Sequence, residues 1–193
     1  MNEQSDSAAE LLGELGLPPR FFDDLNREDD WSLIIKLHAL FEAVLAGLIA
    51  RRLKEPALES VLAKLEFNDA RAGKVAFAKA LDLLNPKDET FLRGLSELRN
   101  KLIHDVRNVG FNLREYVAGL DKNQKAKFKR EFGEWTSSLQ DGASTYQRLL
   151  DHLPGMLISL AGYSCLLALK FNLRGGERDM LVKALLAHDE AAT

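Results

Sequence analysis

Apolar residues recur at intervals of three and four along most of this 193-residue sequence, and that spacing is typical of amphipathic α-helices. No stretch alternates polar and apolar residues over the length of a strand, and β-branched residues are sparse. The clearest helical pattern begins at Trp31, with Asp30 as its expected N-cap, and reaches about Lys54. Its apolar positions are Leu33, Ile34, Leu37, Leu40, Phe41, Val44, Leu45, Leu48 and Ile49. The sequence therefore predicts an all-α protein with about five main helices, of which this one buries a broad face.

Prolines, glycines and capping residues set the expected bounds of the other helices. A short helix is predicted over 8–15, before Pro18-Pro19. Later helices are predicted over 56–64, 68–84, 85–106, 113–120, 121–139, 144–172 and 177–186. Asn85-Pro86 is expected to cap the third of these. Pro154 is expected to kink the helix over 144–172, and Gly175-Gly176 to end it.

Charge is distributed unevenly along the chain. The first 30 residues carry nine acidic and two basic side chains, a balance of −7, whereas the remainder carries a balance of +4. We therefore predict an acidic leader over 1–30, one helical bundle domain over 31–175 and a short C-terminal helix or tail over 176–193. The leader is interpreted either as a solvated, partly disordered arm or as a mask that docks on a partner.

Composition excludes several classes of protein. The single cysteine, Cys165, excludes an intrachain disulfide framework and a cysteine-based zinc site. The N-terminus lacks the pattern of a signal peptide, and the uncharged run over 153–169 is short for a membrane span. We expect a cytoplasmic protein without a membrane partner, metal or cofactor, and a buried or subunit-interface role for that run. A net charge of −3 and the lack of a basic recognition helix argue against DNA binding.

The segment from Ser96 to Asp105 carries the most chemical information. At about 100° per residue, one core stripe is formed by Phe91, Leu95, Leu98, Leu102 and Val106. Arg99 lies at the edge of this stripe, and Asn100 and His104 share the opposite side of the helix. Histidine exchanges protons near neutral pH, guanidinium binds phosphate oxygens through two parallel donors, and asparagine can orient either group. Two such sets facing each other across a two-fold axis would suit metal-free cleavage of RNA.

Arg99-Asn100-x3-His104, near the end of a long helix in an all-helical chain, resembles the Arg-x4-6-His motif of the HEPN superfamily. The resemblance covers about residues 31–113. It implies an antiparallel helical bundle, here with extra C-terminal helices, that dimerises through the motif-bearing helices. It also implies that Arg99, Asn100 and His104 are catalytic residues of a metal-independent endoribonuclease. Other members of the superfamily are non-catalytic binding or regulatory modules.

A second resemblance is to the mannitol operon repressor-like proteins, which share this type of bundle. It is carried by Ser32-Leu33-Ile34, Phe41-Glu42-Ala43-Val44, Leu98-Arg99, His104-Asp105 and Phe111. It implies a regulator that acts through a protein partner and has no obvious DNA-reading helix.

A basic row lies on the helix predicted over 121–139. Lys122, Lys125 and Lys129 fall within an arc of about 60°, beside a stripe formed by Phe128, Phe132, Trp135 and Leu139. Such a row is a candidate contact for RNA phosphates, or alternatively the solvated face of an amphipathic helix.

The motif also has a purely structural interpretation. Arg99 would then pair with Glu97 or another acid, and Lys101 with Asp105 at i,i+4. His104 would interact with the C-terminal end of its helix. His38 and Glu42 share a helical face, and His38 is interpreted as a packed or dimer-facing histidine because no second pair has metal-ligand spacing.

Overall fold

The computed structural model describes residues 12–13, 16–139 and 141–191, with side chains for all of these except Val106 and residues 177–191. Within these ranges every regular element is helical, which confirms the predicted all-α class. The α-helices are α1 (Phe21–Leu25), α2 (Asp30–Arg52), α3 (Glu59–Leu62), α4 (Lys74–Ala80), α5 (Pro86–Ile103), α6 (Leu113–Ala118), α7 (Lys122–Phe132), α8 (Gly142–His152) and α9 (Pro154–Ala191). Short 3-10 segments span Pro56–Leu58, Val106–Gly110 and Glu134–Ser138. The helix predicted over 8–15 lies largely outside the described residues.

The helix α2 is the centre of the bundle and packs against α3, α4, α5 and α9. It buries more than the single face that the sequence predicts, because Val44, Leu45, Ala46, Leu48, Ile49 and Ala50 are all buried. A helix that is apolar on most sides belongs in the interior. The other long helices, α5 and α9, pack along α2, and α5 also packs closely on α7.

Side-chain caps begin four of the α-helices, one of which is α6, where Asn112 accepts a hydrogen bond from the Glu115 N–H. The Asn85 side chain accepts hydrogen bonds from the backbone N–H groups of Lys87 and Asp88, so this N-cap matches the prediction. Asp121, where the sequence places the start of the next long helix, forms a capping box with Gln124. The prediction for α2 is wrong by one residue, because Asp29 is the N-cap and Asp30 is the first helical residue. Asp30 instead accepts a hydrogen bond from the backbone N–H of Leu113 at 2.8 Å.

The helix predicted over 68–84 is much shorter in the structure, where α4 begins at Lys74. The Asp69 carboxylate accepts hydrogen bonds from the backbone N–H groups of Arg71 and Ala72, which holds this segment in a turn. The buried Lys74 ammonium donates to the carbonyl oxygens of Ala63 and Leu65. These tertiary hydrogen bonds keep 63–73 in an irregular conformation around the lysine, despite its helical pattern.

The second half differs from the prediction at three boundaries. The helix α7 ends at Phe132, and Trp135 lies on a separate 3-10 segment, so the predicted stripe over 121–139 is broken at Gly133. Pro154 does not kink one helix but begins α9 after α8 has ended. Gly175-Gly176 do not end α9, which continues to Ala191. The proline sits in the first helical turn, where its missing N–H is not needed.

Part of the acidic leader is built into the bundle. Leu12 and Leu25 are buried in the core, and the Phe22 ring packs edge-on against Tyr163 with centroids 5.3 Å apart. The interpretation of 1–30 as a solvated arm is therefore wrong for these leader residues. Residues 1–11 and 14–15 lie outside the described residues.

Candidate functional site

The helix α5 carries the motif and presents it to solvent. Its core stripe is formed by Phe91, Leu95, Leu98 and Leu102, all of which are buried. Asn100 and His104 are exposed, as the helical spacing predicts, and Arg99 is half-buried at the edge of the stripe. Because the buried stripe fixes the rotation of the helix, the motif faces outward from the bundle.

Two of the three motif side chains interact directly. Arg99 Nη1 donates a hydrogen bond to Asn100 Oδ1 at 3.0 Å, so the asparagine orients the guanidinium. Arg99 makes no ion pair with a carboxylate among the described residues. His104 is the residue that follows the last turn of α5, at its C-cap. The guanidinium thus retains donors for an anion near the end of this helix.

The ion pairs that the structural interpretation requires are not formed. Glu97 accepts a hydrogen bond from Lys127 Nζ of α7 at 2.6 Å instead of pairing with Arg99. The Lys101 ammonium lies 4.4 Å from the centroid of the Tyr116 ring. Asp105 pairs with Arg107 at 2.6 Å. The charged side chains of Glu97, Lys101 and Asp105 therefore all interact with residues outside the motif.

Arg99 acts electrostatically on His38 of α2. Burial, the Arg99 charge and the Lys74 charge together lower the pKa of His38 to about 4. The ring is 3% exposed, packs 4.5 Å from the Phe67 ring, and has no hydrogen-bond partner for Nε2. His38 is therefore neutral at physiological pH, and its Nδ1 lies 3.9 Å from the Glu42 carboxylate. The predicted packed histidine is confirmed.

The basic row of α7 faces away from the motif helix. Lys122, Lys125 and Lys129 are exposed and make no ion pair among the described residues. The Lys129 ammonium lies 5.2 Å from the centroid of the Tyr146 ring of α8, and Lys125 and Lys129 line a groove between α6, α7 and α8. On the other side of α7, Lys127 pairs with Glu97 of α5. The structure therefore does not bring the row and the motif into one groove.

Sequence reasoning missed four polar residues of that groove, which are Arg114 on α6 and Tyr146, Gln147 and Asp151 on α8. None of them belongs to a short motif. Only the tertiary arrangement of α6, α7 and α8 places them beside the lysines. No local signal in the sequence indicates this juxtaposition.

Buried titratable groups also occur between α5 and α9. Burial raises the pKa of Asp88 to about 6, although hydrogen bonds from the Asn85 backbone and from the Cys165 thiol partly oppose the shift. Burial raises the pKa of the Cys165 thiol as well, so this cysteine is an inert core residue, as predicted. Among the described residues no group of three or more His, Cys, Asp or Glu side chains is arranged to hold a metal ion.

Two helical segments are long and apolar enough to cross a membrane, Asp30–Arg52 and Pro154–Gly176. In the most apolar window of each, 67% and 56% of the residues are buried inside the protein. Core helices of soluble proteins have the same character, so these segments are weak evidence for a membrane protein.

Comparisons of the chain with protein-family models, with curated proteins and with solved structures found no significant match. The HEPN resemblance therefore depends on the motif residues and on their placement.

Proposed function

We propose that this protein is a HEPN-like dimeric module that binds RNA and cleaves it without a metal. The observation that carries the proposal is the state of Arg99: it is oriented by Asn100, has no carboxylate partner among the described residues, and lies on the same helix as the exposed His104. A guanidinium with unused donors and a solvent-exposed histidine on the same helix are two groups that can carry out metal-free phosphodiester cleavage.

The reaction would use one motif from each subunit. One His104 accepts the proton of a ribose 2′-hydroxyl as its oxygen attacks the adjacent phosphorus. The bond from phosphorus to the 5′-oxygen breaks, and that oxygen takes a proton from the partner subunit's His104. The products are a 2′,3′-cyclic phosphate and a 5′-hydroxyl. Arg99 stabilises the charge that accumulates on the non-bridging phosphate oxygens in the transition state.

The test is cleavage of a mixed RNA pool in EDTA by the wild-type protein, by His104→Ala and by His152→Ala. His152 is an exposed histidine outside the motif, so its variant is the matched control. We expect the wild type and His152→Ala to cleave and His104→Ala to lose activity by at least about a hundredfold. Equal cleavage by all three proteins would contradict the role of His104.

A second function is favoured by the position of the basic row. Because Lys122, Lys125 and Lys129 do not share a groove with the motif, non-specific affinity for RNA is not concentrated at Arg99 and His104. A non-catalytic regulator of the mannitol operon repressor type would need no such affinity and would use the exposed face of α5 to bind protein. Absence of cleavage by a folded wild-type dimer would favour this function. Under either proposal we expect a cytoplasmic protein that binds neither membrane nor DNA.

A further inference from the structure

A groove of about 450 Å³ lies between α6, α7 and α8, on the side of α7 that faces away from the motif helix. Its polar lining consists of Arg114, Lys125, Lys129, Tyr146, Gln147 and Asp151. Three separate helices contribute these side chains, and none of the motif residues lines the groove. It is therefore a second polar site on this protein.

The charge of the groove is positive. Lys125 and Lys129 make no ion pair among the described residues, and Arg114 Nη2 donates to the His152 carbonyl oxygen at 2.5 Å. The single carboxylate in the lining is Asp151, and Gln147 Nε2 donates to both of its oxygens at 2.9 Å. Three cations thus face one carboxylate that is already hydrogen-bonded. Such a groove attracts an anion.

The hydroxyl of Tyr146 is a buried polar group without a hydrogen-bond partner. The residue is 5% exposed, and its ring lies near the Lys129 ammonium and in close contact with Gly133. Burial and the nearby Asp151 carboxylate raise the pKa of Tyr146 to about 12, so the hydroxyl keeps its proton. An unpaired buried donor is costly and rare in folded proteins. An acceptor oxygen from a ligand would satisfy it.

We propose that this groove binds a phosphate group, with the Tyr146 hydroxyl donating to a phosphate oxygen and Arg114, Lys125 and Lys129 neutralising its charge. Phosphate fits better than a carboxylate because it accepts hydrogen bonds from several directions at once. The Tyr146 ring is too buried to stack on a base, so recognition is independent of base identity. The identification of the ligand as RNA or a nucleotide rests on the proposed function. The groove then holds the nucleic acid at a point distinct from the cleavage motif.

The test measures binding of a fluorescein-labelled twelve-residue oligouridylate by fluorescence anisotropy. Lys125→Gln and Tyr146→Phe each remove one groove contact, and Lys122→Gln removes the same charge from a neighbouring position outside the groove lining. We expect the first two variants to weaken binding about tenfold, as the loss of a hydrogen bond to a charged group predicts. Lys122→Gln should weaken it less than about twofold. Equal losses for Lys122→Gln and Lys125→Gln would overturn the site.

A gain of affinity provides a test that misfolding cannot imitate. Asp151→Asn removes the negative charge of the groove, and we expect tighter binding of the oligonucleotide. Unchanged or weaker binding by this variant would contradict the proposal. Competition by uridine 5′-monophosphate identifies a mononucleotide phosphate as sufficient, whereas competition by RNA alone identifies the phosphodiester chain as the ligand.

The groove and the cleavage motif can fail independently. Intact groove-dependent binding without any cleavage by the wild type would retain the phosphate site and remove the nuclease proposal. Cleavage that depends on His104, together with oligonucleotide binding that Lys125→Gln and Tyr146→Phe leave unchanged, would retain the nuclease proposal and remove the phosphate site.

Discussion

Gly133, between α7 and the following 3-10 segment, lies in close contact with the Tyr146 ring. A Cβ atom at this position would lie 2.5 Å from Tyr146 Cδ2 and Cε2 and 2.9 Å from the Lys129 carbonyl oxygen. Neither a buried aromatic ring nor the backbone can move aside easily in a close-packed interior. The glycine is therefore required by its surroundings.

We expect Gly133→Ala to lower the free energy of unfolding by about 1–3 kcal/mol, as overpacking usually does. Urea denaturation followed by circular dichroism measures this change. Gly119→Ala is the matched control, because a Cβ there meets only backbone oxygens at 3.6 Å, an ordinary contact. Equal stability of the two variants would contradict the packing argument.

At the level of single residues, the sequence predicts which side of α5 faces the core, but it does not predict which charged side chains pair with each other. Helical periodicity correctly places Leu98 and Leu102 inward and Asn100 and His104 outward, because one buried stripe fixes the helix. The structural interpretation of the motif pairs Arg99 with Glu97 or another acid, yet Glu97 pairs with Lys127, thirty residues away. Competition between local and distant partners is decided by packing of α5 on α7, which no short window of sequence contains.

At the level of elements, boundaries follow the sequence where a cap or proline acts locally. Asn85 and Asp121 begin their helices as predicted, and both do so by hydrogen bonds within three residues. The start of α4 could not be predicted in this way, because the Lys74 ammonium bonds to carbonyl oxygens nine and eleven residues earlier in the chain. The helix α9 also continues through Gly175-Gly176, although glycine has a low helix propensity.

Asp30 connects the first turns of two helices. Its carboxylate belongs to α2 and accepts a hydrogen bond from the Leu113 N–H in the first turn of α6, eighty-three residues away. This N–H has no partner within its own helix. We expect Asp30→Ala to lower the free energy of unfolding by about 1–3 kcal/mol, because a partly buried donor loses its acceptor.

The conservative variant Asp30→Asn separates the hydrogen bond from the charge. Asparagine retains a side-chain oxygen acceptor, so we expect it to recover much of the stability in the same urea titration. A wild-type midpoint for Asp30→Ala would show that this contact does not stabilise the junction of α2 and α6.

At the level of the whole molecule, the proposed dimer requires a face that can be covered. The side of α5 that carries Asn100 and His104 also exposes Ile103, at 41%, and the nearby 3-10 segment exposes Val109, at 58%. Apolar side chains beside the motif are consistent with an interface at this face. We expect the wild type to be a dimer in size-exclusion chromatography with light scattering at micromolar concentration, and Ile103→Asp to be a monomer.

Phe171→Asp is the control for a different interface. Phe171 lies on α9 and is 76% exposed, so it marks another apolar surface that a second copy could cover. We expect this variant to remain a dimer. A monomeric wild type would contradict the dimer outright, and a monomer produced only by Phe171→Asp would move the interface from α5 to α9.

Two buried groups give the stability of the whole molecule opposing dependences on pH. The pKa of Asp88 is raised from 3.8 to about 6, so its contribution to stability is fully present below pH 3.8 and is lost as the pH rises through 6. The pKa of His38 is lowered from 6.5 to about 4, so its contribution is fully present above pH 6.5 and is lost as the pH falls through 4. Each amounts to roughly 3 kcal/mol at most.

Between about pH 4 and 6.5 the two contributions largely cancel in the wild type, and single variants should reveal them. We expect the stability of Asp88→Asn, measured relative to the wild type, to increase as the pH rises through this window, because the variant never buries a carboxylate charge. We expect the relative stability of His38→Phe to decrease over the same window, because only the wild type gains stability as its histidine loses a proton. Urea titrations at pH 4, 5, 6 and 7 measure both slopes. Parallel slopes for the two variants would contradict the assignment, because burial acts in opposite directions on an acid and a base.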